Sequence, residues 1–299
     1  MRRSGIYGLA AALLCSVPGF ALAAPASYPL DPVALKSHSV LVVDADTGET
    51  LAAKNADAVV AVASLTKLMT ALVVLEAGQD LDEVIELTRE DVDRYKRTPS
   101  RLPIGTKLAR SELLLLALMA SENRSALALS RNYPGGREAF VAQMNATAVR
   151  LGMTRTRFSD AAGLLPTNRS TARDLAILLE AANAQPLIRD YSTRAVQTLR
   201  VGRRSMKFYS SNRLVRGRGW DIDLQKTGYT NEAGRCLVMQ ATVDGRNLAM
   251  IFLNSVGKLT RYGDASRVRQ GVARTERTFA VKAALPAAPS AAAEATAAP

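Results

Sequence analysis

Residues 65 to 76 read Leu-Thr-Lys-Leu-Met-Thr-Ala-Leu-Val-Val-Leu-Glu, a helical stretch with apolar groups on nearly every side. A helix that is apolar all round cannot lie on a surface; it runs through the middle of a domain, and the other elements must be layered around it. The strand signals fall at the two ends of the chain. Residues 39 to 45 and 49 to 53 flank Asp46-Thr47-Gly48, and residues 235 to 243 and 247 to 254 flank Asp244-Gly245, both hairpin signatures. Between them, helical patterns cover 111 to 120, 122 to 131, 137 to 150 and 171 to 183, the last opening at a Ser/Thr cap. Strands, then helices, then strands predict an α+β fold: an antiparallel sheet whose first and last strands meet, flanked by helices, with a helical subdomain in the middle.

The termini read differently. Met1-Arg2-Arg3, an apolar run over 5 to 17 and Ala21-Leu22-Ala23 ahead of Ala24-Pro25 have the order of a cleaved secretory signal peptide, residues 1–23. Cys15 follows Leu14 rather than a small residue, which argues against lipid attachment there. The Ala/Pro-rich segment 283 to 299 is too poor in large apolar groups to bury anything, so a folded domain is expected over 24–275 and a disordered tail over 276–299. A periplasmic protein follows, soluble or loosely attached to wall or membrane, with no stable membrane anchor.

Composition narrows the chemistry. Two Cys and one His among 299 residues remove disulfide scaffolds, multi-cysteine zinc sites and most His-dependent catalysis, so no metal and no cofactor is expected. Cleavage after Ala23 would leave Cys236 as the sole thiol and, with Arg2 and Arg3 gone, lower the net charge from +12 to +10.

Three short motifs carry chemistry. Ser64-Leu65-Thr66-Lys67 opens the buried helix, where i, i+3 spacing puts hydroxyl and amine on one face. A serine becomes a nucleophile when a base removes its proton, and a lysine serves as that base if burial and the helix N-terminus lower its pKa. The pattern alone is weak: Ser255-Val256-Gly257-Lys258 also matches, but it follows a strand and opens no apolar helix. Ser121-Glu122-Asn123 follows an apolar helix and can relay a proton and hold a lysine or a substrate carbonyl; taken alone it reads first as a helix N-cap, with Ser or Asn capping the helix that follows. Ser210-Ser211-Asn212 repeats it and shows how cheap the pattern is. Lys226-Thr227-Gly228, followed by Tyr229, occurs once, on a closing strand. Its lysine and threonine can bind a carboxylate and its glycine lets a substrate approach, although an edge strand also carries Lys to prevent aggregation.

Taken in this order, S-x-x-K, S-x-N and K-T-G form the penicillin-recognising serine acyl-transferase set. Ala63 to Thr70, Ser121 to Arg124, Lys226 to Tyr229 and Gly234 to Met239 resemble the low-molecular-mass penicillin-binding D-alanyl-D-alanine endopeptidases. The segment from Leu151-Gly152-Met153 through Asp160, Gly163-Leu164, Asn168 and Ser170 to Ala176 resembles the wider D-alanyl-D-alanine peptidases. The resemblance covers about residues 35 to 265. It implies a beta-lactamase/transpeptidase-like fold and an acyl-enzyme peptidase acting on peptidoglycan stem peptides, with beta-lactam antibiotics as covalent inhibitors. By that resemblance Ser64 attacks, Lys67 takes its proton, Ser121 protonates the leaving amine and Asn123 orients Lys67 and the stem. Lys226 and Thr227 bind the carboxylate beside the scissile amide, and the N–H groups of Ser64 and Tyr229 form the oxyanion hole.

Other readings are a D-alanyl-D-alanine carboxypeptidase, a class A beta-lactamase using Glu180 to activate water, and a non-catalytic basic wall-binding protein. The last would use Arg200, Arg203, Arg204, Arg213, Arg216 and Arg218, a run that also suits a solvated loop; a secreted protein meets little nucleic acid, and none is expected as partner. His38 suggests a Ser-His-Asp triad only if Lys67 is ignored, and is read as a strand-end residue.

Overall fold

The structure is a computed structural model whose described part runs from residue 29 to 284, with side chains through residue 274. The expected signal peptide at 1–23, Cys15 within it, and residues 285–299 of the expected tail lie outside the described residues.

The chain opens with β1 (Ser39–Asp44) and β2 (Thr50–Lys54) as a hairpin. The short β3 (Val60–Ala61) leads through a 3-10 turn, Ala63–Leu65, into α1 (Thr66–Glu76). The middle holds β4 (Val84–Glu86), β5 (Lys107–Ala109), α2 (Arg110–Met119), α3 (Asn123–Arg131), α4 (Gly136–Arg150), β6 (Arg169–Ser170), α5 (Ala172–Asn183) and α6 (Pro186–Thr193). A hairpin of β7 (Val196–Val201) and β8 (Arg204–Tyr209) and the single turn α7 (Arg213–Arg216) come next. The chain closes with β9 (Asp221–Thr230), β10 (Gly234–Val243), β11 (Arg246–Ser255) and α8 (Thr260–Ala284).

The main sheet has the order β2-β1-β11-β10-β9 and is antiparallel at every pairing. The two ends of the chain therefore meet as expected: Ser39 pairs with Leu253 and Asp44 with Leu248. At the β10–β11 turn, Asp244 (φ 49°) and Gly245 (φ 81°) are both left-handed, the geometry whose twist matches the flanking strands.

Both faces of this sheet are buried, which is why its strands read as nearly continuous apolar runs. Leu41, Leu224, Val238 and Ile251 join the main core with α1 to α6. Val40, Val42, Leu237, Met239, Met250 and Phe252 face Tyr262, Ala265, Val268 and Val272 of α8, with Leu30 and Leu35 alongside. This second layer is absent from the sequence reading. Its apolar stripe is a thin line of spaced side chains among arginines, and the helix continues past residue 275, where the tail was expected to begin.

Helix α1 is as central as its composition requires: every residue from Thr66 to Val74 is buried. Burial of Leu, Met or Val side chains contributes about 1.5–3 kcal/mol each, so α1 is held by its surroundings and its position is rigid. The segment 200–218, read as a solvated loop, is instead the β7–β8 hairpin and α7. Leu199, Val201 and Phe208 on one hairpin face are buried in the main core, and its arginines take the other face and the tip.

Candidate active site

Ser64 sits in the 3-10 turn that enters α1, after Ala63, a residue held in the left-handed region at φ 46°. One helical turn on, Lys67 is fully buried, and its Nζ donates to the Oγ of Ser64 (2.9 Å), the Oδ1 of Asn123 (2.7 Å) and the carbonyl of Ala162 (2.7 Å). Those three partners satisfy the three protons of an ammonium. If the amine is neutral, two partners hold its two protons and the lone pair is left for the Ser64 hydroxyl. Burial brings the Lys67 amine down to about 8, against the opposing pull of the Asp160, Glu122 and Asp93 carboxylates. A base with that pKa is free in about one molecule in ten at neutral pH, and it is already in hydrogen-bond contact with the hydroxyl it would deprotonate.

A second buried lysine lies across the cleft. The Nζ of Lys226 donates to the Oγ of Ser121 (2.8 Å) and to the carbonyl of Thr227 (3.0 Å), and Ser121 is itself left-handed at φ 59°. Burial first, and the Lys67 charge second, hold the Lys226 amine well below the usual lysine range. Neither Ser121 nor Asn123 caps α3: its N-cap is the Glu122 carboxylate between them, accepting from the Arg124 N–H. The idea of an aggregation-blocking lysine falls too: β9 is an edge strand, but Lys226 points inward.

Gly228 explains the tight join between β9 and the nucleophile turn. A Cβ at this position would stand 3.1 Å from the Val62 carbonyl oxygen and 3.3 Å from both the Ala63 Cβ and the Ser64 N. The strand edge thus runs beside the Ser64 amide, and Tyr229 follows with an exposed side chain packed under Arg235 at 4.2 Å.

Several site residues escaped the sequence reading. Asn123 is oriented by a chain in which its Nδ2 donates to the Thr98 Oγ1 (2.9 Å), and that hydroxyl donates to Asp93 (2.8 Å). Asp160 gathers the N–H groups of Ala162, Gly163, Leu164 and Leu165, folding the loop that presents the Ala162 carbonyl to Lys67. Ser211, dismissed with its neighbours as a chance pattern, places its Oγ 2.7 Å from the Thr227 Oγ1. The Lys96–Glu232 ion pair ties the 92–98 loop to the β9–β10 turn.

The remaining candidates are elsewhere. Ser255 hydrogen-bonds Ser37 (2.6 Å), which donates to Asp264 (2.6 Å), a buried anchor for α8, while Lys258 is exposed. His38 is exposed, and its carbonyl accepts from Asn55. Glu180 is exposed in a cleft with Asp44, Gln240 and Asn247, at the end of the sheet away from the Gly228–Cys236 pair, which removes the water-activating role a beta-lactamase would need. Cys236 is buried, and burial pushes its thiol up to about 11. The surface clefts of about 590 Å³ beside Trp220 and about 340 Å³ beside Leu30 are likewise remote from Ser64.

A serine within reach of a buried, pKa-lowered amine, faced by a second buried lysine and a hydroxyl pair, defines a serine acyl-transfer site. The chain belongs to the peptidase S11 family: the family model described as D-alanyl-D-alanine carboxypeptidase matches residues 25–257. It is 44% identical over 252 residues to the D-alanyl-D-alanine endopeptidase of Pseudomonas aeruginosa, covering 84% of this chain and 81% of that one. The D-alanyl-D-alanine endopeptidase of Escherichia coli is 40% identical over the same length and shares of the two chains. Among solved structures, the Streptomyces K15 DD-transpeptidase superposes with TM-score 0.75 at 27% identity, covering 80% of this chain and 98% of that one. Penicillin-Binding Protein D2 of Listeria monocytogenes in its ampicillin-bound form gives TM-score 0.67 at 30% identity, covering 79% and 97%.

Proposed function

We propose that the chain is a serine D,D-endopeptidase that hydrolyses D-alanyl-diaminopimelate cross-links of peptidoglycan through an acyl-enzyme on Ser64, remodelling the cell wall. The observation that carries this is the contact between the buried Lys67 Nζ and the Ser64 Oγ. Neutral Lys67 takes the hydroxyl proton as Ser64 attacks the D-alanine carbonyl. The tetrahedral oxygen is received by the N–H groups of Ser64 and Tyr229, each donor lowering the barrier by about 3 kcal/mol. Ser121, hydrogen-bonded to Lys226, passes a proton to the departing amine, which breaks the C–N bond and leaves the ester on Ser64. The proton that Lys67 took from Ser64 replaces the one Ser121 gave to the amine, so Lys67 is neutral again; it takes a proton from the water that attacks the ester and returns it to the Ser64 oxygen as the acid leaves. Lys226 and Thr227 hold the carboxylate on the leaving side, and Asn123 fixes Lys67 and the acyl strand. Penicillins would form the same ester and block the site. The basic start and small-residue cleavage signal of residues 1–23 support secretion to the periplasm. Among the described residues no helix is long and apolar enough to cross a membrane.

In a cross-link the leaving amine belongs to a diaminopimelate centre that bears its own carboxylate, so Lys226 and Thr227 read it as they would a terminal D-alanine. Digestion of purified cross-linked dimers beside pentapeptide monomers, followed by chromatography, separates the activities. The reading predicts dimers converted to monomers; rapid release of free D-alanine with dimers intact would make this a carboxypeptidase.

A further inference from the structure

Between residues 196 and 220 there are seven cations and no acid. Arg200, Arg203, Arg204 and Lys207 on the β7–β8 hairpin are all exposed, and none takes part in the ion pairs of the described residues. The cross-strand register places Arg200 and Lys207 on the outer face, while Arg203 in the turn and Arg204 opposite Val201 make the cationic tip. Val196 pairs with Tyr209, Thr198 with Lys207 and Arg200 with Ser205, and all six face outward, while Leu199, Val201 and Phe208 fill the core beneath. Six residues per strand make this strip about 20 Å long. Its root is stitched to the site: the Ser210 N–H donates to the Ala195 carbonyl (2.9 Å), the Ser211 N–H to the Met119 carbonyl (2.8 Å), and Ser211 meets Thr227. Arg101 locks the hairpin from below, its guanidinium 4.8 Å from the Phe208 ring and its Nη1 donating to the Lys207 carbonyl (2.7 Å).

We propose that the outer face of this hairpin is an exosite for the leaving strand of cross-linked peptidoglycan. The inference rests on the endopeptidase reading and deepens it. The leaving stem begins at the carboxylate held by Thr227, and Ser211 leads from that point directly to Tyr209 and the cationic strip. The occupant is a polymer bearing many carboxylates, matched by a strip that carries only positive charge. Each exposed contact alone is weak and screened by salt, but a polymer meets several at once, so the contribution is multivalent and salt-sensitive. A penicillin, whose carboxylate would take the same place at Thr227, carries no polymer beyond it to meet the strip.

The test reverses the strip with Arg200→Glu, Arg203→Glu, Arg204→Glu and Lys207→Glu together, with the four Gln substitutions as a milder companion. In a Ser64→Ala background, cosedimentation with insoluble cross-linked peptidoglycan should weaken about tenfold for the Glu set and less for the Gln set, and high salt should bring the unreversed strip down to the same level. With Ser64 intact, digestion of the polymer should fall about tenfold while the rate of penicillin acylation stays unchanged. Binding and digestion of the polymer equal to wild type would overturn the exosite. So would a loss confined to DNA or anionic vesicles, or an equal loss of penicillin acylation, which would mean the hairpin acts by shaping the site. Strip-dependent binding by a chain that cuts no cross-link would instead leave the exosite standing and remove the endopeptidase reading.

Discussion

Gly163 lies so close to Ala63 that a Cβ at 163 would stand 1.9 Å from the Ala63 carbonyl oxygen. The loop organised on Asp160 thus abuts the backbone that carries the nucleophile, and both contacting residues have positive φ, 76° at Gly163 and 46° at Ala63. Gly163→Ala would meet a backbone clash and a left-handed conformation together. We expect a stability loss of about 2–4 kcal/mol in denaturant unfolding, with penicillin acylation at least tenfold slower. Unchanged stability and rate would mean the loop does not hold the Ser64 turn.

The Lys67 amine, brought to about 8 by burial, sets the pH dependence. Acylation needs the neutral amine, so its rate should climb through neutrality and level off above about pH 8. The stability sign follows from proton counting. Folded Lys67 gives up its proton near 8 and an unfolded lysine near 10.5, so between those values the unfolded chain binds more protons and this group's contribution to stability rises with pH. Lys226 is displaced in the same direction. A rate that falls over pH 7 to 8 would contradict the role of Lys67 as base.

Asn123 tunes that base. Asn123→Asp puts a carboxylate where Oδ1 touches Nζ, favouring the ammonium, so the acylation profile should move to higher pH. Thr98→Val removes the hydroxyl that accepts from Asn123 and donates to Asp93, and should slow acylation about tenfold at constant pH. Stopped-flow acylation with a chromogenic penicillin measures both.

Much of the site was legible because its chemistry is local. Ser64 and Lys67 share a helical face by spacing alone, and Lys226, Thr227 and Gly228 are consecutive on one strand. The Asp244-Gly245 turn likewise announced the closing hairpin. What escaped reading depends on distant partners. Ser211 looked like noise because its meaning comes from Thr227, placed beside it by the pairing of the site elements. Thr98 and Asp93 belong to an irregular loop that has no periodicity, and only its hydrogen bonds to Asn123 give it a role. The β7–β8 hairpin was hidden by its arginines, which obscured the alternation of Leu199, Val201 and Phe208. In α8, Tyr262, Ala265, Val268 and Val272 form too thin a stripe to stand out against charged neighbours.

Ser64 as the acylated nucleophile, with Lys67 as its base, is tested most directly by incubation with a fluorescent penicillin followed by peptide mapping of the label. One labelled peptide carrying Ser64 is expected, with no label in Ser64→Ala, full label in Ser255→Ala, and labelling in Lys67→Arg as slow as in Lys67→Ala, because an arginine keeps the charge but cannot accept the proton. Label retained in Ser64→Ala, or acylation of Lys67→Arg near the wild-type rate, would contradict it.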